Sequence, residues 1–298
     1  MGSEMLAILD QDTSAVSPQL AAVPQWFESW EQCLSRFRPD SELSRLNRTF
    51  DQPVKVSRTL WEVLSVARQA ERQSGGLLTP TVLNALVEAG YDRDFEQLAC
   101  AGIAEPSGNF HAAAPELATV LFDEREHSVC LHEDVHLDLG GVAKGWAADQ
   151  AMRRLREQGP ALVDAAGDIA ISGPNLDGGP WVIGVADPLR PGHDILNIEL
   201  HAGGIATSGK DRRRWQRGGL WRHHIIDPRS GTPALTDLLT VTVVAADVME
   251  AEAGAKTAFL MGGTAGLEWI EANTDLAGLL VMEDGTCWVS TRMQDLIQ

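Results

Sequence analysis

The chain has 298 residues, and 44% of them are hydrophobic, which suffices for one large domain or two small ones. Its 24 basic and 42 acidic residues give a net charge of −18, which argues against a nucleic-acid partner because phosphate binding needs a basic surface. No apolar run approaches the roughly 18 residues of a membrane span. The N-terminus has no secretory pattern, so the sequence predicts a cytoplasmic protein.

Helical periodicity dominates the first quarter of the chain. Apolar residues recur at helical spacing after Ser57, a candidate N-cap, and the glycine pair at 75–76 is a stop signal. The pattern predicts helices over 24–36 and 58–74, separated by the polar stretch SRFRPDSELSRLN. Residues 105–118, rich in Ala and Pro, are predicted to form a loop.

Short strands and a few helices follow. The sequence ends in a predicted hairpin, LAGLLVMEDGTCWVST, with Asp284-Gly285 as a two-residue type I′ turn. Because strands follow one another without regular alternation with helices, the sequence predicts an α+β fold and one compact domain over 1–298. The predicted strands are 119–122, 128–131, 135–139, 161–172, 181–186, 195–200, 204–209, 222–227 and 239–245, and the predicted helices are 141–158, 248–262 and 263–273.

The stretch LDLGGVAKGWAADQA (137–151) carries the first chemical signal. Asp138 is predicted to end a strand, and Gly140-Gly141 let the backbone turn tightly and approach a ligand. Lys144 falls in the first turn of the next helix, where the helix dipole disfavours a cation unless an anion lies nearby. The stretch therefore predicts a phosphate or pyrophosphate site, with an ordinary strand–helix turn and a surface lysine as the alternative.

Two later stretches combine polar side chains with turns. GIATSGKDRRRW places Thr207 and Ser208 at the end of a predicted strand. Their hydroxyls either face a ligand or belong to an ordinary polar turn. In RHHIIDPRSGTP, His223 and His224 point to opposite faces of a strand, so at most one readily faces a given cleft. A histidine there suits proton abstraction near neutral pH, although a structural role is the alternative.

MEAEAGAKTAFLMGG places Glu252 and Lys256 four residues apart on one face of a predicted helix. Two interpretations stay open: an ion pair within the helix, or a carboxylate that binds a metal ion beside phosphates. The one tyrosine, Tyr91, lies in a Gly-Tyr-Asp turn, where its ring either stacks on a flat ligand or anchors the turn in the core.

In their order along the chain, these motifs resemble the FAD:protein FMN transferases, the ApbE family. The resemblance covers about residues 1 to 290 and implies an α+β fold with a T-fold-like core of mostly antiparallel strands and FAD in a cleft. It implies transfer of FMN from FAD to a Thr or Ser hydroxyl of an acceptor flavoprotein, with release of AMP and with the pyrophosphate near Mg²⁺. The motifs are SRFRPDSELSRLN, GYD, DLGGVAKGWAAD, ATSG, HHIIDPRSGTP and the helix before FLMG.

The resemblance also assigns roles to individual residues. It implies that His224 deprotonates the acceptor hydroxyl, and that the carbonyl of Gly141 and the side chain of Glu252 hold the metal ion, with Lys256 at the remaining ligand position. The residues implied to bind FAD are Met1, Phe37, Ala89, Gly90, Tyr91, Asp138, Lys144, Thr207, Ser208, His224 and Ile225.

Lys256 departs from the family pattern, which has a Thr there and an Asp where Glu252 stands. An ammonium has no lone pair to offer a metal ion. Three alternatives stay open: Thr257 replaces the missing hydroxyl, the metal binds with fewer protein ligands, or the Lys256 ammonium stands where the ion would be.

Three functions stay open in consequence. The first is the transferase. The second is an FAD-binding protein without transfer activity, and the third is an FAD pyrophosphatase that yields FMN and AMP. Bound metal and reaction products distinguish them.

Overall fold

A computed structural model describes residues 4–12, 15–100 and 113–297. Its helices are α1 (Pro18–Leu34), α2 (Glu42–Leu46), α3 (Arg58–Gln73), α4 (Leu83–Glu88), α5 (Phe95–Cys100), α6 (Ala143–Leu155), α7 (Val248–Met261), α8 (Gly263–Ala272) and α9 (Thr291–Gln294). Its strands are β1 (Met5–Leu9), β2 (Val54–Lys55), β3 (Leu121–Asp123), β4 (Ser128–Cys130), β5 (Ala161–Ala165), β6 (Ile169–Ile171), β7 (Trp181–Ala186), β8 (Asp194–Leu200), β9 (Gly203–Gly209), β10 (Arg214–Arg217), β11 (Leu220–His223), β12 (Ile226–Asp227), β13 (Thr232–Pro233), β14 (Leu238–Ala245), β15 (Ala277–Met282) and β16 (Cys287–Val289).

These elements belong to two compact units. One contains Glu28–Ala143 and Arg212–Leu235, and is called the first unit; the second unit contains the described residues of 3–27, 144–211 and 236–298. The prediction of one domain over 1–298 stays a prediction. No helix in the described ranges is long and apolar enough to cross a membrane.

An antiparallel sheet is the centre of the second unit. Its strands lie in the order β1-β5-β6-β9-β14-β15-β16, and every neighbouring pair is antiparallel. Helix α7 packs on β9 and β14. The helix lies so close to the sheet that a Cβ atom at Gly204 would clash with the backbone of Val248, which explains the glycine there.

The first unit has smaller sheets. Strands β2, β4 and β3 form one antiparallel sheet, and β10-β11 and β12-β13 form two hairpins. Helix α3 begins where the sequence predicts, because Ser57 accepts a hydrogen bond from the backbone N–H of Leu60 at 3.2 Å. With helices and mostly antiparallel strands in both units, the α+β prediction is confirmed.

The first helix begins earlier than the predicted residue 24. It starts at Pro18, where Ser17 accepts a hydrogen bond from the N–H of Gln19 at 3.2 Å. Pro24, which marked the predicted start, lies inside the helix instead. A proline most often occupies the first turn of a helix, whereas this one lies further along it.

The predicted strand 135–139 is wrong. The segment is extended but pairs with a side chain: Asn47 donates to the carbonyl of Leu137 and accepts from its N–H, both at 2.8 Å. The N–H of Asp138 donates to the carbonyl of Pro80 at 2.7 Å. Because these groups satisfy the backbone, Asp138 lies in a fixed extended loop and not at the end of a strand.

The predicted strand 161–172 is a hairpin made of β5 and β6. Ala166 and Gly167 have φ values of 62° and 93°, and the N–H of Ala165 donates to the carbonyl of Asp168 at 2.9 Å. Two positive φ values are the geometry of a tight hairpin turn. The chain reversal places Asp168 directly after the turn.

Two further predictions need correction. The stretch 222–227 is not one strand, because β11 ends at His223 and β12 begins at Ile226. The last hairpin has a three-residue loop: the N–H of Gly285 donates to Met282 at 3.0 Å, and of the loop residues only Gly285 has a positive φ, 87°. A type I′ turn needs two positive φ values, so the predicted two-residue turn is wrong.

Candidate functional site

Helix α6 begins at Ala143, two residues after its predicted start. The N–H groups of Val142 and Ala143 both donate to the carbonyl of Leu139, at 3.0 and 2.8 Å, and so close the turn that starts the helix. Lys144 is therefore the second residue of the helix, as the sequence predicted for a first-turn lysine.

Two lysines and two carboxylates of the second unit form what we call the charged cluster: Lys144, Asp168, Glu252 and Lys256. The Nζ of Lys256 donates to Oε1 of Glu252 at 2.8 Å, and the Nζ of Lys144 lies 3.5 Å from the same oxygen. Lys144 also donates to Oδ2 of Asp168. Helix α6, the β5–β6 turn and helix α7 each contribute to this cluster.

The carboxylates lie beneath the ammonium groups. The side chains of Asp168 and Glu252 are 2% and 1% exposed, whereas those of Lys144 and Lys256 are 18% and 12% exposed. The two lysine side chains are therefore the more accessible members of the charged cluster.

Glu252 is fixed at both oxygens. Its Oε2 accepts from the N–H of Gly145 at 3.1 Å, while Oε1 contacts the two ammonium groups. Gly145 has no side chain for a steric reason, since a Cβ atom there would lie 2.7 Å from Oε2. The helix that carries Glu252 begins at Asp247, whose side chain accepts from the N–H groups of Met249 and Glu250.

The two carboxyls differ in proton affinity. Burial, and next the negative charge of Glu252, raise the pKa of Asp168 to about 7. Burial opposes ionisation of Glu252 as well, but the ammonium charges of Lys256 and Lys144 outweigh it and lower the pKa of Glu252. Of the pair, Asp168 is thus the carboxyl that takes up a proton first as the pH falls.

The side chains of the charged cluster are not suited to coordinate a divalent cation. Glu252 is already held by two ammonium groups and a backbone N–H, and Lys256 has no lone pair. The hydroxyl of Thr257 donates to the carbonyl of Ala253 at 2.8 Å within the same helix. Across residues 4–12, 15–100 and 113–297, no group of three or more His, Cys, Asp or Glu side chains could hold a metal ion. The ion-pair interpretation of Glu252 and Lys256 is confirmed, and Gly141 as a metal ligand stays a prediction.

The first unit has three neighbouring aromatic rings with an arginine beside them, called here the aromatic cluster: Arg36, Phe37, Tyr91 and Trp215. The ring centroids of Phe37 and Tyr91 are 5.5 Å apart, and those of Tyr91 and Trp215 are 5.3 Å apart. The guanidinium of Arg36 lies 4.1 Å from the centroid of Phe37 and 4.7 Å from that of Tyr91. Burial raises the pKa of Tyr91.

Arg36 ties the aromatic cluster to Asp138. Its Nε donates to Oδ2 of Asp138 at 2.5 Å, and Oδ1 of Asp138 accepts from the N–H of Gly140 at 2.8 Å. The Arg36 side chain is only 7% exposed, and its buried Nη2 has no hydrogen-bond partner among the residues that the structure describes. A buried donor of this kind usually has a partner, so it indicates a place for a ligand acceptor.

The segment Ala89-Gly90-Tyr91 is held by the β10–β11 hairpin. The indole N–H of Trp215 donates to the carbonyl of Ala89 at 3.0 Å. Gly90 has a φ of 102°, and a Cβ atom there would lie 2.8 Å from Nη1 of Arg217. The left-handed φ and the close side chain of Arg217 both explain why residue 90 is a glycine.

The two histidines have different environments. His223 is buried, and its Nε2 lies 3.0 Å from the carbonyl of Ala234, which can only accept, so Nε2 carries the proton. Its Nδ1 then accepts from the N–H of Ile225 at 3.3 Å. His223 is therefore structural, and Ile225 itself is buried. His224 lies half-buried in the break between β11 and β12, and its catalytic role stays a prediction.

Thr207 and Ser208 lie within β9, which confirms the strand predicted over 204–209, so the alternative of an ordinary polar turn is wrong. Thr207 is exposed, and its hydroxyl lies 2.9 Å from that of Thr242 on the neighbouring strand β14. Ser208 is buried because successive side chains of a strand point to opposite faces. Met1 lies outside the described residues, so its predicted FAD contact stays a prediction.

Three residues of these clusters were not predicted from the sequence: Asp168, Arg36 and Trp215. Asp168 had a weak signal, an acid after Ala-Gly between two short apolar runs in LVDAAGDIAI. Arg36 and Trp215 had none, because an arginine or tryptophan in a polar stretch is common on protein surfaces.

Comparison with known proteins identifies the family. The family model described as "ApbE family" matches residues 1–280. The FAD:protein FMN transferase of Treponema pallidum is 32% identical, over 78% of this chain and 68% of the relative, and that of Vibrio cholerae is 30% identical, over 84% and 75%. The crystal structure of the ApbE protein of Thermotoga maritima superposes with a TM-score of 0.82 at 28% identity, covering 99% of this chain and 100% of that one. The chain therefore belongs to the ApbE family.

Proposed function

We propose that this chain is a flavin transferase, which moves FMN from FAD to a Thr or Ser hydroxyl of an acceptor flavoprotein and releases AMP. The family model over residues 1–280 supports the proposal, as do relatives named FAD:protein FMN transferase at 30–32% identity. A cytoplasmic location stays a prediction.

The charged cluster carries the proposal. Its more exposed members are Lys144 and Lys256, and Lys144 lies in the first turn of α6, where the helix dipole favours an anion. Two lysines fixed by buried carboxylates beside a helix N-terminus are suited to contact an anion. In FAD that anion is the pyrophosphate, whose bridging bond is the one that the transfer breaks.

The aromatic cluster suits a flat ring of FAD. Phe37 and Tyr91 offer π-faces, and the buried Nη2 of Arg36 offers a donor to a ring nitrogen or oxygen. We therefore propose Arg36 as an additional FAD-binding residue. The other proposed FAD contacts are those that the resemblance implies: Met1, Ala89, Gly90, Asp138, Thr207, Ser208, His224 and Ile225.

In the proposed reaction, the acceptor hydroxyl oxygen attacks the phosphorus of the FMN half. A new P–O bond forms, the bridging P–O bond of the pyrophosphate breaks, and AMP leaves with the bridging oxygen. His224 takes the proton of the hydroxyl, since an imidazole has a suitable proton affinity near neutral pH. Lys144 stabilises the negative charge that develops on the phosphate oxygens.

Intact-mass analysis of an acceptor domain incubated with the protein and FAD tests the proposal. We expect a mass gain equal to a phosphoester-linked FMN and one AMP released per acceptor. His224→Ala should abolish the gain while FAD binding stays nearly intact, because the other proposed contacts remain. The control is His132→Ala, because His132 is a histidine of the same unit whose side chain is 57% exposed.

Two outcomes contradict the proposal. AMP and free FMN with an unmodified acceptor would identify an FAD pyrophosphatase. Retained FAD without either product would identify a flavin-binding protein. A full mass gain with the His224→Ala variant would instead remove His224 from the reaction and leave the transfer standing.

A further inference from the structure

The charged cluster contains an unusual convergence of like charges. Two ammonium groups approach one oxygen, Oε1 of Glu252, at 2.8 Å from Lys256 and 3.5 Å from Lys144. Lysines are seldom buried without a counter-charge, and each of these is more than four-fifths buried. Such an arrangement needs a reason, because two like charges that share one counter-ion repel each other.

We propose that the Lys256 ammonium is a built-in cation, so that this protein holds the pyrophosphate of FAD without a divalent metal ion. The inference rests on the proposed function for the identity of the ligand. Lys256 and Lys144, the more accessible members of the charged cluster, together carry two positive charges, the number that one divalent ion supplies.

The position of Lys256 at Glu252 leaves no room for a divalent ion there. Its Nζ lies 2.8 Å from Oε1 of Glu252, whereas Mg²⁺ needs ligand oxygens at about 2.0–2.1 Å in a near-octahedral set. A divalent ion at Glu252 would have to displace the ammonium and would still be repelled by Lys144. The N–H of Gly145 holds the second oxygen, Oε2, so the carboxylate cannot readily turn to offer it.

The burial of the two carboxylates also supports this role of Lys256. Asp168 and Glu252 are 2% and 1% exposed and fix the lysines from beneath. A charge held in place before the ligand arrives stabilises phosphate oxygens without reorganisation. Lys256 is therefore positioned as a ligand-binding group and is more than a surface ion pair of α7.

Uptake of Mn²⁺, followed by the electron paramagnetic resonance signal of the free ion, tests the inference without any flavin. We expect the wild-type protein to leave the signal unchanged. Lys256→Asp removes the ammonium and adds a carboxylate beside Glu252, so this variant should take up one Mn²⁺ per chain. Lys210→Asp is the matched control, because Lys210 is 15% exposed and also contacts a glutamate, Glu283, at 2.6 Å; its affinity for Mn²⁺ should be weaker by at least about tenfold.

FAD affinity, followed by flavin fluorescence, is the second measurement. For the wild-type protein it should agree within about twofold in EDTA and in Mg²⁺. Lys256→Met keeps the length of the side chain but not the charge, so it should weaken FAD binding by about tenfold with no recovery in Mg²⁺. Circular dichroism confirms that each variant is folded.

Stoichiometric Mn²⁺ uptake by the wild-type protein would overturn the inference. So would a loss of FAD affinity of about tenfold or more when EDTA removes Mg²⁺. An unmodified acceptor, with both binding results as expected, would contradict the proposed transfer and leave the metal-free binding of FAD supported.

Discussion

The charged cluster and the aromatic cluster differ in how their buried polar groups are paired. In the charged cluster, the described contacts pair each ammonium with a carboxylate, and both oxygens of Glu252 are engaged. In the aromatic cluster, one guanidinium covers two rings and keeps a buried donor without a partner in the described residues. The charges of the first arrangement are held in place before a ligand arrives, whereas the second gains a hydrogen bond when one binds. Substitution of a buried carboxylate in the charged cluster should therefore change mainly stability, and substitution of Arg36 in the aromatic cluster mainly affinity.

The largest effect is expected from Glu252→Gln. It removes the counter-charge that Lys256 and Lys144 share, and breaking a buried ion pair from one side costs about 3–5 kcal/mol. Urea denaturation should show this loss in the free energy of unfolding. The control Glu283→Gln, whose side chain is 61% exposed, should cost less than about 1 kcal/mol. Equal effects of the two substitutions would mean that the charged cluster contributes little to stability.

The pH dependence of Asp168 comes next. Its pKa in the folded protein, about 7, lies above the value of 3.8 that an unperturbed aspartate has, so the folded state binds the proton more tightly than the unfolded state. The contribution of Asp168 to stability is thus fully present below pH 4 and is lost as pH rises through 7. The wild-type protein should lose about 2–4 kcal/mol relative to Asp168→Asn over that range. A difference that is constant from pH 4 to 8, measured by urea denaturation, would contradict the shift.

Gly145→Ala should have a smaller effect in the charged cluster. The added Cβ atom would lie 2.7 Å from Oε2 of Glu252 and 3.2 Å from the carbonyl of Val248, so the carboxylate must move. We expect a loss of about 1–3 kcal/mol in the free energy of unfolding. Gly173→Ala is the control, since nothing lies within 4 Å of its Cβ position. If both variants melt at the same temperature, the approach of α6 to Glu252 is looser than described.

The aromatic cluster should respond to Arg36→Ala mainly through affinity. The substitution removes the stacked guanidinium and the donor that we assign to FAD, so FAD affinity should fall by about tenfold. Arg36→Lys should not restore it, because an ammonium cannot supply a planar group with several fixed donors. Titration of flavin fluorescence measures both variants, and full affinity with Arg36→Lys would reduce the role of Arg36 to its charge.

Local signals explain why some elements were predictable. Helix α3 follows from its N-cap Ser57 and its apolar spacing, and the ion pair of Glu252 and Lys256 follows from four residues of separation on one helix. The strand prediction for 135–139 was wrong because the backbone of Leu137 hydrogen-bonds to the side chain of Asn47. These two residues are 90 positions apart in the sequence. No pattern within a short window carries that information.

By itself, the sequence determined the α+β class, the first-turn position of Lys144 and the order of motifs that indicates the ApbE family. These properties depend on local propensity and on residue identity along the chain. Only the tertiary structure decided that Asp168 and Lys144 join the Glu252–Lys256 pair, and that Arg36 covers Phe37 and Tyr91. The physical reason is that the energies of ion pairing and stacking depend on distance in space, which residues far apart in the sequence acquire only when the chain folds.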